Sequence, residues 1–342
     1  MIKRKFPLAN PPRIVCSLLQ TLMQLAMISL ISLFLTTLPS AAQQLPYPTR
    51  PIRTISGFPP GSSVDVVGRF ITTRLAERLG QQIVIDNRPG ASGTIGADIA
   101  ARSTPDGYTL FIMTSSQIMS VPVFKKLPYD PVKSFTAISP IGVGPLMLVS
   151  HPSFAPKSIK ELIELAKSKP DTLSYSSAGN GSINHYVGAM FAKDVRAQML
   201  HVPHKGGAPA FFAVMGGEVN LMFATLPLSL TQIRAGKVKA FGITAPKRSA
   251  LAPNVPPIAE SVPGFEAVTW WAVTAPAGLS APVLKRLNSE IVGILNQPES
   301  AQRLSAEGAE PWPLASEDFT KVLHAELEKW TRVARDIGIR AE

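Results

Sequence analysis

The sequence predicts an α/β protein made of two α/β domains with a cleft between them. Three observations carry that prediction. Short runs rich in β-branched residues alternate with amphipathic stretches, the pattern of βαβ units around a parallel sheet. The composition, 45% hydrophobic against 17% charged, is that of a folded chain, and no periodic glycine marks a fibre. At 342 residues one hydrophobic core commonly gives way to two, and the hollow between them is the default place for function.

The chain opens with a segment that belongs to targeting rather than to the fold. Lys3, Arg4, Lys5 and Arg13 form a basic head, residues 14–38 are apolar and uncharged, and Ser40-Ala41-Ala42 supplies the small residues of a cleavage site. An export signal, residues 1–42, cleaved after Ala42 is the expectation. The apolar run is long enough to span a bilayer, so an uncleaved anchor is the alternative. Cys16 follows Val15 rather than a small residue, which argues against lipid attachment.

Without the leader the net charge falls from +11 to +7, and no cysteine is left. Disulfides, thiolate metal sites, thiol nucleophiles and iron–sulfur clusters are thereby excluded. The remaining positive charges are scattered singly and do not interleave with aromatics, so nucleic acid is not an expected partner.

Strands are expected at 52–56, 82–86, 108–113, 146–150, 173–176, 199–202, 221–224, 240–244 and 271–274. Helices fall between them. Val64, Val67, Ile71 and Leu75 recur at helical spacing, and Gly80 is placed to end that helix. Ser158-Ile159-Lys160-Glu161 matches a capping box, with a buried stripe at Leu162, Ile163, Leu165 and Ala166 until Lys169-Pro170 stops the helix. Phe319, Val322, Leu323, Leu327, Trp330 and Val333 mark a long terminal helix. The Pro-rich stretches 253–263 and 275–282 read as connectors.

Two loops carry most of the functional information. Phe58-Pro59-Pro60-Gly61-Ser62-Ser63-Val64-Asp65 follows the first strand and opens the first helix. Ser62 and Asp65 fit S-x-x-D, so a helix N-terminus begins there, and its free N–H groups favour a carboxylate or phosphate. Gly61 lets a ligand approach the main chain. An ordinary, well-capped βα turn is the other reading. The second loop, Ser177-Ala178-Gly179-Asn180-Gly181-Ser182, leads into a helix containing His185. It has G-x-G but neither a third glycine nor a P-loop lysine, so nucleotide binding is not supported and no cofactor is implied. If the loops belong to different domains, they face each other across the cleft and grip a small anion from both sides.

His201-Val202-Pro203-His204-Lys205-Gly206-Gly207 puts two imidazoles and an amine near a strand end. With His185 these suggest a three-histidine metal site, but a separation of three on a strand sends side chains to opposite faces, and no metal is expected. No G-x-S-x-G elbow is present. The enzyme alternative is an exported hydrolase with Ser177 or Ser182 as nucleophile and His185 as base.

The motifs themselves carry a resemblance. Tyr47-Pro48-Thr49-Arg50-Pro51-Ile52, Phe58-Pro59-Pro60-Gly61 with Asp65 and Arg69, Asn87-Arg88-Pro89-Gly90-Ala91 with Gly96, and Pro105-Asp106-Gly107-Tyr108-Thr109 occupy the first half. Tyr129-Asp130-Pro131, Glu161-Leu162 with Ala166-Lys167, Ser177 with Gly179, Gly181, Ser182 and His185, and His201-Val202-Pro203 with Lys205-Gly206 follow. Ala235-Gly236-Lys237, Lys247-Arg248-Ser249 and Ala275-Pro276 complete the series. Their order and spacing resemble the Bug/TctC family, the solute-binding proteins of tripartite tricarboxylate transporters, over essentially the whole exported chain.

The resemblance implies a periplasmic binding protein-like fold of type II and a periplasmic location. It places one domain at 43–145 plus 270–342 and the other at 146–269. It implies capture of a small mono- or dicarboxylate, aliphatic or aromatic, and a monomer that serves a membrane permease or a sensor and is not an enzyme. Carried over by position, the ligand residues are Phe58, Pro60, Gly61, Ser62, Ser63 and Asp65 on one side and Ser177, Gly179, Gly181, Ser182 and His185 on the other. Ser115 and Ser116, with His204, Lys205 and Gly206, are the expected distal contacts. Ser62 stands where the family usually has Gly, and His204 where it usually has Tyr.

Overall fold

The computed structural model describes residues 47–306 and 308–339, together with Met23 and Met27. The export-signal expectation falls on residues 1–42 and lies outside the described residues, those two methionines apart.

Strand β1 (Ile52–Ser56) shows why this sequence makes a parallel sheet. Four of its five residues are buried on alternating faces, a demand that Ile52, Thr54 and Ile55 meet with β-branched side chains. It lies between β2 (Ile83–Asn87) and β3 (Thr109–Thr114), parallel to both. The next strand departs from the sequence expectation. β4 runs from Phe135 to Ser150 (16 residues), where only 146–150 reads as a strand. Pro140, Gly142, Gly144 and Pro145 look like breakers, but the ladder accommodates them with register shifts between Ala137 and Ser139 and between Pro140 and Gly142.

Five further strands follow: β5 (Ser174–Ser177), β6 (Leu200–Pro203), β7 (Leu221–Thr225), β8 (Lys239–Ile243) and β9 (Val268–Pro276), and β10 (Glu310–Pro311) is a two-residue edge. β5 pairs in parallel with β6 and β7. The sheet is mixed rather than all parallel, because β4 and β9 run antiparallel to their neighbours. β4 changes partner within its length: Phe135 to Pro145 pair with β9, while Leu146 to Ser150 pair with β7. β4 therefore carries the chain from one set of parallel strands to the other, and β9 carries it back beside β3. Ala275 and Pro276, expected in a connector, end β9. Gly142 and Gly144 admit the β10 segment, since a Cβ there would stand 2.8 Å from Glu310 O and 2.7 Å from Gly308 O.

The helices follow local chemistry closely. α1 (Ser63–Leu79) begins at Ser62, whose Oγ accepts from Asp65 N, and ends at Gly80 with φ +66°. Val64, Val67, Ile71 and Leu75 are buried along it as the periodicity predicts. α2 (Thr94–Ala101) and α3 (Ser115–Met119) flank β3, and α4 (Ile159–Ser168) starts at Ser158. The Glu161 carboxylate accepts from Lys157 N, one residue earlier than a reciprocal capping box requires. α5 (Ile183–Asp194), α6 (Gly207–Met215) and α7 (Leu226–Arg234) follow β5, β6 and β7. α8 (Ala281–Leu295), α9 (Pro298–Ala306) and α10 (Ser316–Asp336) close the chain. α10 packs Phe319, Leu323 and Trp330 inward, and Glu326 accepts from both Trp330 Nε1 and Trp270 Nε1. One hydrophobic cluster runs from Phe111 and Trp270 to Phe223 and Phe265, so apolar packing is continuous across the change of partner in β4.

Candidate functional site

Five strands end in loops that open helices: β1 into α1, β3 into α3, β5 into α5, β6 into α6 and β7 into α7. The ends of these parallel strands lie together, so the N-termini of the helices do too. They surround one cavity of about 30 Å³. Its polar wall consists of Ser62, Ser63, Thr114, Ser116, Asn184, Thr225 and Thr269. Its apolar wall is Phe58, Val64, Ala178, Ile183, Met222, Leu228 and Trp271, with the backbone of Gly207 between. Among the described residues, no Asp, Glu, Lys, Arg or His lines it.

Local hydrogen bonds decide which polar groups remain for a ligand. Ser62 Oγ is engaged by Asp65 N and Thr114 Oγ1 by Ser116 N, each capping its own helix. Asn184 Nδ2 donates to Phe223 O at 2.6 Å, and Thr269 Oγ1 meets Ser115 Oγ at 3.1 Å. Thr225 precedes α7 but its side chain does not cap it, and the residue is only 6% exposed. Ser63, 9% exposed, likewise has no hydrogen-bond partner for its hydroxyl among the described residues. Neither hydroxyl oxygen is fully enclosed, so both stay open to a ligand acceptor.

Asp65 stands behind the first loop, not in the cavity. Its carboxylate accepts from Gly61 N at 3.0 Å, Asn87 Nδ2 at 3.0 Å and Arg69 Nε at 2.9 Å. Burial alone would raise this carboxyl, and the three donors outweigh it, holding the group below its ordinary value. Its work is to shape the turn. Pro60 and Gly61 lie exposed on the outside of that turn, and Gly61 has φ +75°.

The second loop is tied from within. Ser177 Oγ accepts from Gly179 N at 3.1 Å, Ser182 Oγ donates to Gly179 O at 2.7 Å, and His185 Nδ1 accepts from Gly181 N at 3.2 Å. Behind it the His185 and His201 rings stack at 4.0 Å and 7°, and Tyr175 stacks on the far face of His201 at 5.0 Å. Burial pushes His185 down to about 4, and burial with the neighbouring His185 and His204 pushes His201 down to about 3, so both rings are neutral. Ser177 Oγ is 2.6 Å from His201 Nε2, not from His185, and Ser182 caps α5. Neither serine has the His185 base that the hydrolase alternative requires. Among the described residues no trio of His, Cys, Asp or Glu is arranged to hold a metal.

The two loops meet. Ser92 Oγ donates to Asn180 O at 2.6 Å, and Ile183 N donates to Ser116 Oγ at 3.4 Å. Gly206 sits where a Cβ would stand 2.7 Å from Pro59, and a Cβ on Gly179 would stand 2.7 Å from Ser92 Oγ. These contacts narrow the cleft around the cavity.

Of the expected ligand residues, Phe58, Ser62, Ser63 and Ser116 line the cavity. Ser177, Gly179, Gly181 and Ser182 build the loop behind Ala178, and Ser115 is held by Thr269. His204 turns its Nδ1 to Val202 O, and Lys205 is exposed, so neither reaches the wall. The residues missing from the sequence reading are chiefly Asn184, Met222, Thr225, Leu228, Thr269 and Trp271. One signal was available: Thr225-Leu226-Pro227 after a strand has the form of a helix start with Pro in its first turn.

Comparison with known proteins identifies the family and the fold. The profile described as the tripartite tricarboxylate transporter family receptor matches residues 67–339. Protein BugT of Bordetella pertussis is 34% identical over 320 residues, 92% of this chain and 98% of BugT. The structure of periplasmic binding protein BugD superposes with a TM-score of 0.83 at 31% identity, covering 86% of this chain and all of that one. R. palustris Rpa4515, solved with adipate, gives a TM-score of 0.84 at 33% identity with the same coverage. The matched family and these neighbours are binding proteins, not enzymes. This chain belongs to the Bug/TctC family of periplasmic solute-binding proteins, the receptors of tripartite tricarboxylate transporters.

Proposed function

We propose that this protein captures a small mono- or dicarboxylate, aliphatic or aromatic, in the cavity at the strand ends and delivers it to the membrane subunits of a tripartite tricarboxylate transporter or to a sensor. The carrying observation is the convergence of helix N-termini on one cavity that, among the described residues, has no charged lining and contains two hydroxyls without a protein partner, those of Ser63 and Thr225. Oriented amides and hydroxyls favour an anion without a titrating partner and release it without chemistry. The adipate held by a structural neighbour supports the same ligand class.

Release follows from the architecture. Two domains, 43–145 with 270–342 and 146–269, separate about β4 and β9, breaking the Ser92–Asn180 contact. The chain acts in the periplasm after removal of residues 1–42, as a monomer, and without a cofactor or nucleic acid.

A thermal-shift panel of aliphatic and aromatic acids tests the reading. An acid at a hundred times its dissociation constant stabilises the protein by about 2.7 kcal/mol, a rise of several degrees in melting temperature. If no acid of the panel shifts the transition, the carboxylate assignment fails.

A further inference from the structure

We propose that the physiological ligand carries a single acid group, bound at the helix N-termini, and an uncharged remainder lying against the apolar wall. This rests on the carboxylate reading above and adds what lies beyond the acid.

The argument starts from charge. The cavity wall contains no ionisable side chain. The cations that the sequence places near the two loops do not reach it: Arg69 is bound to Asp65 at 2.9 Å, and Lys205 is exposed to solvent. His185 and His201 lie behind the second loop, neutral and stacked on each other. The positive field that remains belongs to the N-termini of α1, α5, α6 and α7, each equivalent to a fraction of one charge and all gathered at one end of their strands. That field is concentrated at the strand ends and leaves the apolar wall without positive charge.

A second carboxylate would have to lie along Val64, Ile183, Met222, Leu228 and Trp271. Met222 and Trp271 are at most 1% exposed, so the charge would leave water without meeting a cation. An aliphatic or aromatic remainder gains from the same wall by removing apolar surface from water. The adipate of the structural neighbour is a diacid, so on this inference the present chain differs from that neighbour at the distal end of the ligand.

Calorimetric titration at pH 7.5 with matched pairs tests it: hexanoate against adipate, and benzoate against terephthalate. The expected result is at least tenfold tighter binding of the mono-acid in the pair whose size fits. Equal or tighter binding of the diacid overturns the inference while leaving carboxylate capture standing. Binding by none of the four, and by no other acid of a wider panel, removes carboxylate capture and this inference with it. Leu228 is half-buried, so Leu228→Arg places a cation at the wall with little disturbance of the core. In that variant the mono-acid preference should fall at least tenfold. An unchanged preference in a variant that melts like the parent overturns the role assigned to wall charge; Leu228→Lys serves if the arginine variant does not fold.

Discussion

Thr225→Val separates a ligand contact from a structural one within a single side chain. Thr225 lines the cavity and does not cap α7, so removal of its hydroxyl breaks no bond among the described residues. Valine keeps the branched shape. Deleting a hydroxyl that makes no bond to the described residues should change stability by less than about 1 kcal/mol. With ligand bound, the same change removes a hydrogen bond to a charged acceptor, worth about 1.5–3 kcal/mol. That corresponds to a dissociation constant raised roughly 10- to 150-fold. Urea unfolding of the free protein and calorimetric titration with the tightest acid of the panel measure the two effects separately. Thr114→Val is the contrast: its hydroxyl accepts from Ser116 N and lies 3.2 Å from Gln117 Oε1, so stability should fall by about 1 kcal/mol. If Thr225→Val binds within twofold of the parent, the hydroxyl does not meet the acid and the orientation of the site is wrong.

Gly179→Ala should block closure: φ is +118° and the new Cβ would stand 2.7 Å from Ser92 Oγ and 3.3 Å from His204 O. The affinity should drop more than tenfold, and small-angle scattering should show no compaction when ligand is added; normal compaction would show that the Gly179–Ser92 approach is not the closed state. Asp65→Ala removes the acceptor of Gly61 N, Asn87 and Arg69, and should lower stability by about 2–4 kcal/mol, read as a lower urea midpoint; a loss under 1 kcal/mol would mean the turn holds its shape unaided. For pH, His185 and His201 are both held below the ordinary value of 6.5, so the unfolded chain binds more protons and their stabilising share is complete above pH 6.5. It declines as pH falls from 6.5 toward about 4, by roughly 1–2 kcal/mol per ring at pH 5 after allowance for partial exposure. Protonated Nδ1 of His185 cannot accept from Gly181 N, and Tyr175, Tyr186 and His204 offer neither ring a carboxylate, so ligand affinity should fall over the same range. A His185→Gln, His201→Gln double variant with the parent's pH dependence would refute this account.

Local rules reached far into this protein. The start of α1 at Ser62, its end at Gly80, its buried stripe and the halt of α4 before Pro170 all follow from groups within a few residues of one another, as N-cap bonds, left-handed glycines and helical spacing require. The first strand was legible to the residue, because a strand buried on both faces favours β-branched side chains, and most others to within one or two. The two loops were legible for the same reason: each is a strand end, a glycine turn and a cap.

What the sequence could not supply was the partner across the fold. Residues 135–145 look broken by Pro140, Gly142 and Gly144, and only β9 on one side and the β10 segment on the other make them a strand. Lys205 and His204 read as ligand contacts from their place after β6, whereas the wall is completed by Met222, Thr225 and Trp271 from β7 and β9. Ser177 pairs with His201 rather than His185: the β5–β6 register sets Tyr175 against His201, and His185, on α5, stacks on the same imidazole. Caps and turns are short-range and are written in neighbouring residues. The composition of a cavity is decided by which distant strands become neighbours, and here the crossing strands β4 and β9 decide that.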